Sequence, residues 1–254
     1  MGNHKETWDN IVKRIMLRFR FLVLHPIRSV RHLISGNRDY SKVLISEISV
    51  YLKSPKVIVE AGAADGVDTL SFSENFPSAT IYAIEPVVEQ YEFLLSKTKN
   101  KRNIDLTNIA LSEANEELQI HVGSGTGHLG GMGSSSLLKP LKHEEYFPEI
   151  SFNRQQAIKA MTLDSFIQSK AIDLVDLLWL DIQGKEFDVL YASRETFIRK
   201  VKLVHLEISR ITFYSDQPSE KKLRKFLKDS GFICVIDRVG AISGNAVYLN
   251  PSIN

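Results

Sequence analysis

VIVEAGAADGVDT, Val57 to Thr69, is the stretch whose reading settles the fold. A short run of Val, Ile and Val reads as a strand, Glu60, Gly62 and Gly66 follow, and a helix is expected to begin near Val67. Glycines at a strand-to-helix turn permit a tight bend and let a ligand approach the backbone. The free N–H groups of the helix start suit a carboxylate or phosphate. As a dinucleotide fingerprint the string fails, because the second glycine of G-x-G-x-x-G would have to stand where Ala64 does. An ordinary strand-to-helix turn without a ligand gives the same local pattern, so the flanking segments must decide.

Moving outward, IYAIEP places Glu85 at the end of the next apolar run, 25 residues after Glu60, where an acid can accept both hydroxyls of a ribose. Apolar runs at residues 56–61, 80–84, 104–111, 177–180, 203–208 and 232–236 read as strands, and residues 87–97, 185–191 and 219–229 between them read as helices. Parallel strands need crossover helices, so this alternation predicts a doubly wound α/β domain. The last gap, around Gly240 to Gly244, is too short for a crossover. Residues 246–249 are therefore expected to return antiparallel as a hairpin. Residues 123–136, GSGTGHLGGMGSSS, hold six of the fourteen glycines and read as a polar, flexible loop, either functional or disordered.

LLWLDIQGKEFDVL puts Asp181 at one strand tip, with Gln183, Gly184 and Glu186 in the turn and first helical turn; LVHLEISR puts Glu207 at the next tip, with His205 on the same strand face. Adjacent tips bring Asp181 and Glu207 together at the sheet edge where open α/β sheets bind ligands. Two carboxylates there suit a hard divalent cation or general-base work on a hydroxyl. Glu186 favouring a helix start, or Glu207 pairing with Arg210, is the plainer alternative. His121, His128, His143 and His205 are further candidate bases. None has the H-x-x-x-H spacing of a helical metal site, and His128 stands out for its place in the glycine-rich segment.

Composition narrows the class. With 254 residues, 43% hydrophobic and 24% charged, the chain has ample material for a core and is not disordered. The single Cys234 excludes an internal disulfide and cysteine-based zinc sites, and fits a reducing, cytoplasmic setting. The net charge of +2 hides an asymmetry: residues 1–56 hold eleven Lys and Arg against four Asp and Glu, and the rest hold 21 against 26. From Trp8 to Leu24 apolar residues recur at helical spacing beside Lys13, Arg14, Arg18 and Arg20, which predicts a basic amphipathic helix. Its longest uncharged apolar run, Phe21 to Leu24, falls far short of the roughly 20 residues that span a bilayer. Two readings of this arm stand side by side: packing on the domain or on a second copy in a homo-oligomer, or peripheral contact of residues 8–24 with the inner membrane surface. Basic and aromatic interleaving is missing from the body, so no nucleic acid partner is expected.

The ordered set EAGAADG, AIEP, NIALS, GSSSLL, MTLDSF, WLDIQGKEFDVL and GNAVYLNP resembles the FkbM-type S-adenosylmethionine (SAM) methyltransferases over about residues 57–251. The parallel sheet with an antiparallel hairpin matches the class I methyltransferase plan that this resemblance implies. The division it suggests is a basic helical arm at residues 1–50 and a methyltransferase domain at residues 51–254. The resemblance implies transfer of a methyl group to a hydroxyl of a sugar, glycan or natural product, in a small-molecule or glycan acceptor. Carried over to these positions, Glu60, Gly62 and Gly66 would hold the methionine part of SAM, Glu85 the ribose, and Asn108 to Ser112, with Ala110, the adenine side, while Ala63, Asp65, Thr69 and Asp181 would also bind the cofactor. Asp181 and Glu207 would be catalytic, with His128 closing over the substrate, and related macrolide sugar methyltransferases imply magnesium on Asp181 and Glu207. Two positions depart from the family pattern: Ala64 where Asn is frequent, and Gln183 where Glu is frequent. The rival readings are a SAM-binding module without catalysis in a glycan-assembly complex, and a nucleotide-dependent oxidoreductase.

Overall fold

A computed structural model describes residues 45–126 and 128–253; the side chains of His128 and Leu129 also lie outside the described part. The expected basic helix at residues 8–24, and with it any membrane contact, falls outside the described residues. The described chain begins with helical residues 45–48, whose Ile45 and Ile48 are buried in the same core layer as Phe72 and Ile81.

The first half follows the sequence reading. Strand β1 (Val57–Ala61) leads into helix α1 (Val67–Asn75), then β2 (Thr80–Ile84), α2 (Val88–Thr98) and β3 (Ile104–Thr107). Residues 104–111, expected as one strand, are two. The Asn108 carboxamide donates to the carbonyls of Glu85 (2.8 Å) and Pro86 (3.0 Å), which turns the chain. Strand β4 (Ala110–Leu111) then leaves for a different sheet.

That second sheet is the main departure from expectation. Strand β5 (Glu116–Gly125) and strand β6 (Ile150–Met161) pair antiparallel, with β4 on the far side of β6. Between β5 and β6 run a 3-10 helix (His128–Ser134) and a short helix α3 (His143–Tyr146). The glycine-rich stretch read as a flexible loop is thus the end of a strand plus a helical turn folded back on it. Glycine is needed there for close packing: a Cβ on Gly125, at φ +157°, would stand 1.9 Å from the Glu149 carbonyl oxygen.

The remaining chain completes the main sheet with α4 (Leu163–Ser169), β7 (Val175–Leu180), α5 (Glu186–Ala192), α6 (Arg194–Lys200), β8 (Val201–Ser209), α7 (Glu220–Asp229), β9 (Ile233–Asp237) and β10 (Ser243–Leu249). The TLD string begins α4 as a cap: Thr162 Oγ1 accepts from the Ser165 N–H at 3.1 Å. Strand order is β3-β2-β1-β7-β8-β10-β9, parallel except for β10, which slots between β8 and β9 antiparallel to both. This is the doubly wound sheet, mostly parallel and closed by an antiparallel hairpin, that the alternation of apolar runs predicts.

Both faces of the sheet are covered. On one, Val59, Leu178, Leu180, Val204 and Leu206 meet Phe166, Val189, Phe197 and Phe226 of the helices. On the other, Ile58, Ile81, Leu177 and Leu203 meet Ile48 and Phe72. A fully buried Phe72, edge-on to Trp179 at 5.1 Å, contributes on the order of 1.5–3 kcal/mol. With both faces covered, the carboxyl ends of the parallel strands are where such a sheet binds a ligand.

Candidate functional site

A cleft of about 550 Å³ runs along those strand ends. At its centre, β1 ends against β7: the Asp181 N–H donates to the Ala61 carbonyl at 3.1 Å. Gly62, at φ +86°, is pressed so close that a Cβ would stand 1.9 Å from the Asp181 carbonyl oxygen. The turn then places Ala64 at φ +48°, a left-handed conformation that Asn adopts more readily than Ala. Asp65 Oδ1 accepts from the Val67 N–H at 3.1 Å at the start of α1.

Glu85 anchors the next part of the cleft. Its Oε2 accepts from the Ala64 N–H and its Oε1 from the Val87 N–H, each at 2.8 Å. Burial pushes its carboxyl up to about 7 against these two amide bonds. The free lone pairs of the carboxylate can accept a diol. Gly62, Ala64, Asp65, Glu85, Ala110 and Leu111 line this half of the cleft.

Other residues expected to touch cofactor are set back from the wall. Glu60 points beneath the turn, where its Oε2 accepts from Thr69 Oγ1 at 2.6 Å. Both are buried, and burial holds Glu60 well above the usual carboxylate range, with Asp68 adding to it. Ala63 and Gly66 are turn residues, and Gly66 packs against Leu94. The Ser112 hydroxyl donates to Glu113 at 2.8 Å. These positions shape the turn from behind.

The other half of the cleft is acidic. Leu180 and Leu206 are register partners on β7 and β8, so Asp181 and Glu207 follow side by side. Their carboxyls hydrogen-bond each other, and Gln183 Nε2 donates to Asp181 Oδ1 at 2.7 Å and to Glu207 Oε2 at 3.1 Å. Burial raises both acids, and the Asp181 charge raises Glu207 further. Gln183 sits at φ +53°, held by Ser136 Oγ donating to its carbonyl at 2.8 Å. The Tyr214 hydroxyl is 3.0 Å from Gln183 Oε1 and 2.8 Å from the Ser134 carbonyl, its one proton serving either acceptor. Glu186 faces inward, with its Oε1 accepting from the Ile182 N–H at 3.1 Å, and burial pushes it up to about 7.

The fit of magnesium to this pair follows from the donor set. The acid oxygens that would ligate it already accept from an amide N–H and share a proton. Among the described residues no group of three or more His, Cys, Asp and Glu is placed to hold a metal ion. A cation on Asp181 and Glu207 would have to displace the Gln183 carboxamide that bridges them.

The histidines separate clearly. His205 is buried away from the cleft, stacked on Trp179 at 3.4 Å, and burial lowers it to about 3. His121 lies on the outer face of β5 near Gln155. The His128 side chain lies outside the described part. His143 lines the acidic half, 4.9 Å from Phe147, 5.5 Å from Tyr214 and 5.9 Å from Phe213 ring to ring. Burial lowers it to about 4, so it is neutral near pH 7. Sequence reasoning missed Tyr214, which sits beyond a strand tip with no motif around it, and had no reason to prefer His143.

Comparison with known proteins agrees with this geometry. Residues 60–234 match the Methyltransferase FkbM domain. The chain is 25% identical over 207 residues to 2-O-methyltransferase NoeI of Sinorhizobium fredii (strain NBRC 101917 / NGR234), covering 81% of this chain and 84% of that one. Among solved structures it is similar to the N-terminal domain of EvdMO1 with S-adenosylhomocysteine (SAH) bound, at TM-score 0.46 and 10% identity, covering 85% and 82% of the two chains. It is also similar to Aeropyrum pernix fibrillarin in complex with SAM, at TM-score 0.44 and 14% identity, covering 77% of this chain and 66%, just under two thirds, of that one. The match to the family model spans well over half of the chain, which therefore belongs to the FkbM family of SAM-dependent methyltransferases.

Proposed function

We propose that this enzyme transfers the methyl group of SAM to a hydroxyl of a sugar, glycan or natural product. The observation that carries the reading is the paired Asp181 and Glu207 beside the Gly62 turn, a protonatable acid pair where the cofactor's sulfonium would meet an acceptor. The name of the Sinorhizobium fredii relative supports oxygen as the accepting atom. The ring cluster of His143, Phe147, Phe213 and Tyr214 suits the C–H face of a sugar.

On this reading Glu85 accepts the ribose hydroxyls and the Gly62 to Val67 turn faces the methionine carboxylate. The acceptor oxygen attacks the methyl carbon in line, the C–S bond breaks with its electron pair staying on sulfur, and SAH leaves. The hydroxyl proton passes to a carboxylate oxygen of the Asp181–Glu207 pair. Alignment of the two substrates supplies much of the rate. No step passes through magnesium. The arm at residues 1–50 stays outside this chemistry; its contact with membrane or with the domain is a separate proposal, read out by vesicle flotation of the full chain.

The test is methyl transfer from labelled SAM to glycan extracts. Asp181→Ala should lower turnover about 10²–10⁴-fold while SAH binding holds. Retained turnover would refute the assignment; cofactor binding by the unaltered protein without turnover on any acceptor would favour a non-catalytic SAM-binding module.

A further inference from the structure

Among the described residues, two buried side chains that line the cleft carry a polar atom with no hydrogen-bonding partner: His143 Nδ1 in the acidic half and Gln90 Nε2 in the other. Gln90 is 2% exposed and is the third residue of α2. An amide donor shut away from water without a partner is unfavourable unless a ligand supplies the acceptor. Strand order gives its place. From Asp181 and Glu207 at the tips of β7 and β8, the cleft passes Gly62 after β1, then Glu85 after β2, and reaches Gln90 beyond it. Val87, the residue that caps α2 three positions before Gln90, lines the cleft and shares one apolar cluster with Ala110 and Ile120, which line it too.

An apolar slot with one amide at its rim suits a flat heteroaromatic base, whose faces want apolar contact and whose edge carries hydrogen-bonding nitrogens. A carboxamide can accept from the amino group of adenine while donating to N7, an edge on which hypoxanthine shows two acceptors instead. The first turn of α2 is also held in place. Val87 N–H is fixed on Glu85, and Glu89 pairs with Arg154 of β6 at 2.7 Å.

We infer that Gln90 is the residue that reads the adenine base of the cofactor, a specificity role that rests on the SAM reading of the site. The experiment is calorimetric titration of the full chain with SAH and with S-inosylhomocysteine, in which an oxo group replaces the amino group. The unaltered protein should prefer SAH by roughly tenfold or more. Gln90→Leu and the unbranched Gln90→Met should each lose about tenfold in SAH affinity while S-inosylhomocysteine changes little, which erases the preference. A preference that survives in both variants, or an equal loss for both compounds such as unfolding would give, overturns the assignment of Gln90 alone. Failure of the unaltered protein to bind SAH would overturn the cofactor reading, and the assignment with it.

Discussion

The two halves of the cleft are held by different kinds of group. In the half around Glu85, the key carboxylate is fixed by main-chain amides, those of Ala64 and Val87. In the half around Asp181, main-chain amides hold only Glu186, while the paired Asp181 and Glu207 are fixed by side chains: Gln183 bridges them, Tyr214 meets Gln183, and Ser136 from the strand-to-helix excursion holds the Gln183 carbonyl. Every residue but proline has an amide N–H, so the first arrangement survives changes of side chain that would dismantle the second. The half around Glu85 is thus determined by the path of the backbone, and the Asp181–Glu207 pair by the identity of a few residues from distant parts of the chain.

The severest challenge to that contrast is Gly62→Ala, because Gly62 sits on the seam. Its added Cβ has only the Asp181 carbonyl to meet, so the substitution should cost on the order of 2–4 kcal/mol from clash and backbone strain together. Thermal melting should show this as a fall of roughly 5–15 °C, with SAH binding and turnover damaged alike. An unperturbed melting temperature would mean the seam is not rigid. Next in size, Tyr214→Phe removes one hydroxyl from the side-chain-built half. Turnover should drop about tenfold with SAH affinity unchanged within roughly twofold; parallel losses in the two would dissolve the distinction between halves.

A third effect is pH dependence in the amide-built half. If Glu85 accepts the ribose diol as proposed, it does so ionised, so SAH affinity should rise about tenfold between roughly pH 6 and 8 and level off above the carboxyl's value of about 7. Glu85→Gln should flatten that profile. In the unliganded protein the sign reverses. A carboxyl raised on folding favours the native state while protonated, so its contribution is full below about 4.5 and is lost as pH climbs to about 7. Chemical denaturation of the two proteins across that window isolates the difference. The smallest expected effect is a gain: Ala64→Asn keeps the N–H bonded to Glu85 and better suits φ +48°, so the melting temperature should rise by a few degrees, for a gain of roughly 0.5–1 kcal/mol. A decrease would show that Ala64 is held by more than its backbone.

The same contrast explains what could be read in advance. Gly62, Glu85, Asp181 and Glu207 follow from strand tips and chain turns, and their placement needs only the order of apolar runs. That Glu60 faces Thr69 beneath the turn does not follow from the sequence, because the spacing of a turn does not say which side chain faces out and which faces inward. The three-stranded sheet was overlooked although Leu118, Ile120 and Val122 alternate with Gln119 and His121. The polar strand ends and the glycines beyond them outweighed that period in the sequence. Gln183, Tyr214 and Gln90 depend on contacts between segments far apart in the chain, which no local pattern encodes.

The placement of β10 between β8 and β9 has a consequence for biosynthesis. A chain made from its N-terminus presents β9 before the strand that must join it to the rest of the sheet exists. Until residues 243–249 emerge, β9 has no neighbour to pair with and the open edge of β8 is bare. The sheet can close only after nearly the whole described chain has left the ribosome. Nascent forms halted before Ser243 should therefore be the ones that chaperones hold and proteases clear.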